Sequence, residues 1–216
     1  MPEFEHLPYP SRYNSLRLLN YNYTSSRKLC AITLVADSRR PVFADMLLAK
    51  ATLASLLSPV TLAHMHLQAF TLMPDHLHLV AGIRNPDLNL PALIGNFKSF
   101  TTQLYWKRSQ EIAASGEVCL PSQNVYKSDS QQARNLLSAL IDGRATLRPE
   151  IVELRNWPAV RPELFLKKQL WQAKFFDHII RNDHDLRENL EYIAMNSVRA
   201  GYVSRSCFYP YTGFMG

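Results

Sequence analysis

Residues 60–83 read VTLAHMHLQAFTLMPDHLHLVAGI, and their pattern decides the architecture. Two apolar, β-prone runs, 60–72 and 76–83, flank Pro74–Asp75, a pair suited to a tight connection. The pattern predicts a β-hairpin. Residues i and i+2 of an extended strand point to the same face, so His76 and His78 would sit side by side on one side of a sheet. The same H-x-H spacing occurs at His64 and His66, ahead of the apolar part of the first run. Spacing does not choose between the two pairs. Either could bind a metal, and either could be strand residues with hydrogen-bonded imidazoles.

Working outward, KLCAITLVADSRRPVF (28–43) reads as a strand followed by a charged loop. ADMLLAKATLASLL (44–57) has helical spacing and is ended by Pro59. LNLPALIGNFKSFTTQLYWKR (88–108) predicts a long helix with Leu93, Ile94, Phe97, Phe100 and Leu104 inward and Lys98, Lys107 and Arg108 outward. From 109 to about 166 the pattern loosens, apart from short helical stretches such as SQQARNLLSALIDG, closed by Gly143. This segment reads as an insertion in a single domain covering 1–216. Residues 167–180 are strand-like around their aromatics. DHDLRENLEYIAMNSVRAG then predicts a helix capped by Asp183 and stopped by Gly201. The order β, α, β, β, α, insertion, β, α matches an α+β ferredoxin-like sandwich: a βαββαβ antiparallel sheet with helices on one face, plus a C-terminal helix.

The chain has 216 residues, of which 47% are hydrophobic, enough for a substantial core. No run of about 18 apolar residues is present, so no membrane-spanning helix is expected. The N-terminal residues lack a signal-like apolar region, and Cys30, Cys119 and Cys207 form no CxxC pair. A cytoplasmic protein without a structural zinc site is the expectation. The formal charge of +6, spread along the chain, suits a polyanionic partner such as nucleic acid.

On the last helix, Leu186, Leu190 and Ile193 line up as a buried stripe. Roughly opposite, Glu188, Tyr192, Asn196 and Arg199 form a polar face. Tyrosine can be a nucleophile, a carboxamide a metal ligand and a guanidinium a phosphate contact. The same face could equally be solvated, with a half-buried tyrosine.

Four blocks in order, LMPDHLHLV, NFKSFTTQLYW, LWQAKFFDHIIRN and YIAMNSVRAGYV, resemble the signature blocks of the HUH single-tyrosine transposases of the insertion sequence 200 type. The nearest resemblance is to the branch associated with repetitive extragenic palindromes, which RYNSLRLLNYNY and ADSRRPVFAD also resemble. It covers about residues 12–108 and 167–208. The resemblance implies that His76 and His78 are the metal-binding histidines, Tyr192 the catalytic tyrosine on the C-terminal helix, and Asn196 the residue completing metal binding. It assigns no catalytic position to His64 or His66, which are expected to be strand residues. The implied cofactor is Mg²⁺ or Mn²⁺, and the implied partner is single-stranded or hairpin DNA, with no membrane. Arg39, Arg40, Lys98, Lys174, Arg181 and Arg199 are the cations expected to meet that DNA. The implied reaction is nicking and rejoining through a 5′-phosphotyrosine, by a monomer or homodimer. The alternatives are a non-catalytic hairpin-binding module on the same fold, and a metal-dependent hydrolase using water. One departure is visible: the family usually has Asn-Pro where this chain has Asn196–Ser197.

Overall fold

The computed structural model describes residues 28–84, 89–120, 154–204 and 209–215, and among these residues five strands make one antiparallel sheet. They are β1 (Cys30–Val35), β2 (Met65–Met73), β3 (His76–Ile83), β4 (Phe176–Ile179) and β5 (Thr212–Phe214). Their spatial order is β4-β1-β3-β2-β5. The first four follow the expected βαββαβ arrangement. β5, which local pattern did not predict, extends the sheet beyond β2. The α-helices among the described residues are α1 (Met46–Leu56), α2 (Pro59–His64), α3 (Leu90–Ser115) and α4 (Asp183–Arg199).

Strand alternation sorts β3 onto two faces. Leu77, Leu79, Ala81 and Ile83 join Ile32, Leu34, Phe70 and Leu72 in the main core, with apolar side chains of α1 and α3. On the other face, Val80 and Ala69 meet Ile193 of α4, flanked by Leu29, Ala31, Leu186 and Leu190. The sheet thus has α1 and α3 on one side and α4 on the other. In β2 a bulge between Leu67 and Ala69 shifts the phase, so that Met65, Leu67, Phe70 and Leu72 all reach the main core. The predicted hairpin is present: Met73 pairs with His76 across Pro74–Asp75. The carbonyls of these two turn residues accept from Phe43 N and Ala36 N, which locks the turn to the segment after β1.

Three local expectations are corrected. Pro59 does not lead into a strand. Ser58 caps a short helix with Pro59 in its first turn, where a missing N–H costs nothing, so His64 is helical and only His66 lies in β2. The stretch Met46–His64 is long and apolar enough by composition to cross a membrane, yet it forms two separate helices, α1 and α2, with Leu57 and Ser58 between them. In α3, Phe100 faces solvent, while Thr101 and Tyr105 continue the inward stripe of Leu93, Ile94 and Phe97. The core admits these polar groups because they are bonded. Thr101 Oγ1 accepts from Trp171 Nε1 at 2.8 Å, and Tyr105 donates to Lys167 O at 2.8 Å. Finally, Asn182 rather than Asp183 caps α4, its side chain accepting from Asp185 N at 2.9 Å.

α3 runs to Ser115, past the expected start of the insertion, and ends at Gly116 with φ of 73°. At the far end of that segment, Val160 and Phe165 are buried in the main core. The predicted stretch SQQARNLLSALIDG lies outside the described residues. α4 stops as expected at Gly201, whose φ is 71°. Gly201 N donates to Val198 O and Tyr202 N to Ser197 O, the double bond of a left-handed C-terminal cap.

Candidate active site

His76 and His78 rise from the sheet face that carries α4, with ring centroids 4.6 Å apart. His78 is 7% exposed and stands in a cross-strand row between Thr33 and Thr71. Its Nδ1 lies 2.7 Å from Thr33 Oγ1. Nδ1 of His76 lies 2.5 Å from Asp75 Oδ1, and the other Asp75 oxygen accepts from Arg39 Nη1 at 3.3 Å. In both rings Nδ1 is occupied by a neighbour, so Nε2 is the nitrogen left to face a ligand.

Electrostatics reinforce this arrangement. Burial, then the adjacent His76, pushes the His78 imidazole well below its usual range, Asp75 opposing and Arg39 adding to the effect. A neutral imidazole with a lone pair is the form that binds metals. For Asp75, burial would raise the pKa, but the bonds from His76 and Arg39 outweigh it and hold the carboxyl below its usual range.

α4 lays Tyr192 against this pair. The Tyr192 and His78 rings meet edge to face with centroids 5.2 Å apart, and Arg199 Cζ lies 5.2 Å from the Tyr192 centroid. Asn196, one turn beyond Tyr192, is 8% exposed, and its buried Nδ2 has no hydrogen-bond partner among the described residues. The polar face is therefore not opposite the apolar stripe. Asn196 and Ser197 are buried beside Ile193, and only Glu188 and Arg199 of the four are exposed. The reason is helical geometry: at 100° per residue, Asn196 falls about 60° from Ile193. Ser197, which follows Asn196 where the resemblance leads one to expect proline, is fully buried within the helix.

Among the described residues, no group of three or more His, Cys, Asp or Glu side chains is arranged to hold a metal ion. The candidate set differs in kind: two imidazoles and a carboxamide. It fits a divalent ion in two respects, a buried neutral imidazole in His78 and a buried carboxamide in Asn196 with unused bonding capacity.

The other sequence candidates divide clearly. His66 Nε2 bonds Gln68 Nε2 at 2.8 Å at the far end of β2, opposite Gly82, away from the row that holds His78. His64 is the last residue of α2. Arg39 is exposed beside Asp75, and Arg199 is exposed beside Tyr192. Lys174 and Arg181 are also exposed. Arg40 is not available to DNA: it is 7% exposed and bonds Tyr105 Oη, Asp37 O, Leu164 O and Gln169 O. The Lys98 amine is half-buried and donates to Gln172 O at 2.6 Å and Ala173 O at 2.9 Å. Of the expected outward cations on α3, Arg108 is engaged with buried Asp45 at 2.8 Å. The sequence reading missed Thr33 and Asp75. Asp75 adjoins His76 in the chain and could have been suspected, but Thr33 is identified only by strand register.

Comparison with known proteins places this site in context. A family model described as "Transposase IS200 like" matches residues 25–132. A putative REP-associated tyrosine transposase of Haemophilus influenzae is 44% identical over 45 residues, 21% of this chain and 26% of that protein. A REP-associated tyrosine transposase of Escherichia coli is 38% identical over 47 residues, 22% of this chain and 28% of that protein. These alignments span only about a quarter of either relative. A solved structure of a REP-associated tyrosine transposase bound to a REP hairpin superimposes with a TM-score of 0.45 at 14% identity, covering 89% of this chain and 79% of that one.

Proposed function

The chain belongs to the IS200-like transposase family, whose model matches half of its length, and from that premise we propose that it nicks and rejoins single-stranded DNA through Tyr192. The observation that carries this reading is the edge-to-face contact of Tyr192 with His78, with His76 beside it, on a face bordered by Arg39 and Arg199. Three residues from two distant segments converge where the chemistry needs a nucleophile next to a charge-stabilising centre.

In this reading His76, His78 and Asn196 hold a divalent ion, Mg²⁺ or Mn²⁺, which when bound offsets negative charge on the scissile phosphate. Asp75 and Thr33 fix the two imidazoles through Nδ1 and so present Nε2 to the site. Arg199 and Arg39 bind phosphate oxygens. Tyr192 gives its hydroxyl proton to solvent water and its oxygen bonds the phosphorus, while the bond from phosphorus to the 3′ oxygen breaks. That oxygen takes a proton from solvent water and leaves as a 3′-OH, with the 5′-phosphate joined to Tyr192. A second 3′-OH reverses the reaction, so rejoining needs no nucleotide triphosphate. A hairpin-forming strand is the preferred substrate in this reading, supported by the palindrome-associated relatives and the basic charge of the chain.

The test is covalent capture. Labelled hairpin DNA with unpaired flanks, incubated with protein and Mn²⁺ and then denatured, should leave label on the wild type and none on Tyr192→Phe. Binding by both without any adduct would favour the non-catalytic module. Free cleaved DNA from Tyr192→Phe would favour hydrolysis by water.

A further inference from the structure

We propose that Phe176 is a stacking platform for an unpaired nucleobase adjoining the scissile phosphate, an inference that rests on the strand-cleavage reading above. β4 is an edge strand, and its Phe176 pairs with Thr33, which pairs in turn with His78. Residues directly opposite in an antiparallel ladder share a face. The bond from Thr33 to His78 shows which face that is. Neighbouring strands are about 4.8 Å apart, so the Phe176 and His78 backbones are separated by roughly 10 Å.

α4 leaves this ring uncovered. Near its start, Asp185 bonds His178, two residues along β4 from Phe176, at 2.9 Å. The helix then packs on Ala69 and Val80 of β2 and β3. It crosses the sheet away from Phe176, leaving that side chain 42% exposed, while adjacent Phe175 points to the main core and is 7% exposed. Among the described residues, one corner of the face is therefore open. It is bounded by Phe176, Thr33, the two imidazoles and Tyr192, with Arg39 at the His76 end.

The chemistry of that corner selects one occupant. The cations suit a phosphate backbone, and an aromatic ring beside them suits a base. Base–aromatic stacking tolerates any sequence because every base has a π face. It does require an open face. In a duplex both faces of a base are already covered, so a ring at this position would favour unpaired over paired DNA at the cleavage point.

The experiment compares two probes: an oligothymidylate of about twelve nucleotides and an abasic strand of equal length. Phe176→Ala should bind oligothymidylate about tenfold or more weakly than wild type, within the range that one lost stack implies. It should bind the abasic strand as wild type does, with the same dependence on salt. Phe176→Trp should keep the preference for the base-bearing strand. Equal losses on both probes, or no loss on either, would overturn the proposal. If Phe176→Ala unfolds, photocrosslinking of wild type to a 5-iododeoxyuridine strand decides: a crosslink mapped to Phe176 supports stacking, and one mapped only elsewhere refutes it. Covalent capture by wild type in the presence of either negative result would sink the platform alone. No capture and no strand binding would sink the parent reading with it.

Discussion

Thr33 Oγ1 lies 2.7 Å from His78 Nδ1 across the β1–β3 ladder. That bond ties a buried imidazole to a strand with no reacting group of its own, and it determines which ring nitrogen faces the site. Asp75 does the same for His76 from the hairpin turn. The geometry of the two rings is thus set by residues outside the H-x-H motif.

Replacing His76 or His78 with alanine should abolish adduct formation while leaving circular dichroism unchanged. His66→Ala should retain most of the activity, because His66 bonds Gln68 at the far end of β2. An inactive His66 variant beside an active His76→Ala would overturn the assignment.

Asp75→Asn keeps the shape of the turn but weakens the hold on His76. Outer-shell substitutions of this kind cost about 10- to 100-fold in metal affinity. Calorimetric titration with Mn²⁺ should show a loss of that order, and adduct yield should recover at high Mn²⁺. Unchanged affinity would remove Asp75 from any positioning role.

The six candidate cations should separate by salt dependence. Arg39→Ala and Arg199→Ala should each lower the slope of log affinity against log salt by about one, the signature of a lost phosphate contact. Lys98→Met should leave the slope intact, since its amine is bonded to Gln172 O and Ala173 O.

Asp45 is fully buried. It caps α1 at Leu48 N, accepts from Cys119 N and pairs with Arg108. Asp45→Ala strands all three donors and should destabilise the fold by about 3–5 kcal/mol in urea unfolding. Arg108→Met in the same background should recover part of that loss, because the unpaired cation is removed.

Stability without metal should fall on mild acidification. His78 and His66 both have imidazoles held below the usual range, each first by burial, His66 further by Arg84. Below about pH 6.5 the unfolded chain takes up protons that these folded residues refuse, so unfolding becomes easier as pH drops. Urea midpoints at pH 7.5 and 5.5 in chelator should decline for wild type. His66→Gln should show a smaller decline.

Much of this was legible from local pattern. The hairpin about Pro74–Asp75, the strand at 76–83, the stripe Leu186, Leu190 and Ile193, and the stop at Gly201 all follow from periodicity and turn chemistry acting within a few residues, whereas the start of the first hairpin strand did not. His76 and His78 share a face because a strand has a period of two, a property of the chain alone. Tertiary structure decided what local pattern could not. It separated His76 and His78 from His64 and His66, because only the first pair lies under Tyr192 of α4. It turned Phe100 outward and Thr101 inward, because buried polar groups there find partners on distant segments. It also withdrew Arg40 into the interior and set Phe176 in the row of His78. Each of these outcomes depends on which strand lies beside which and in what register. That is set by long-range packing of one sheet between two helical layers, and no window of neighbouring residues contains it.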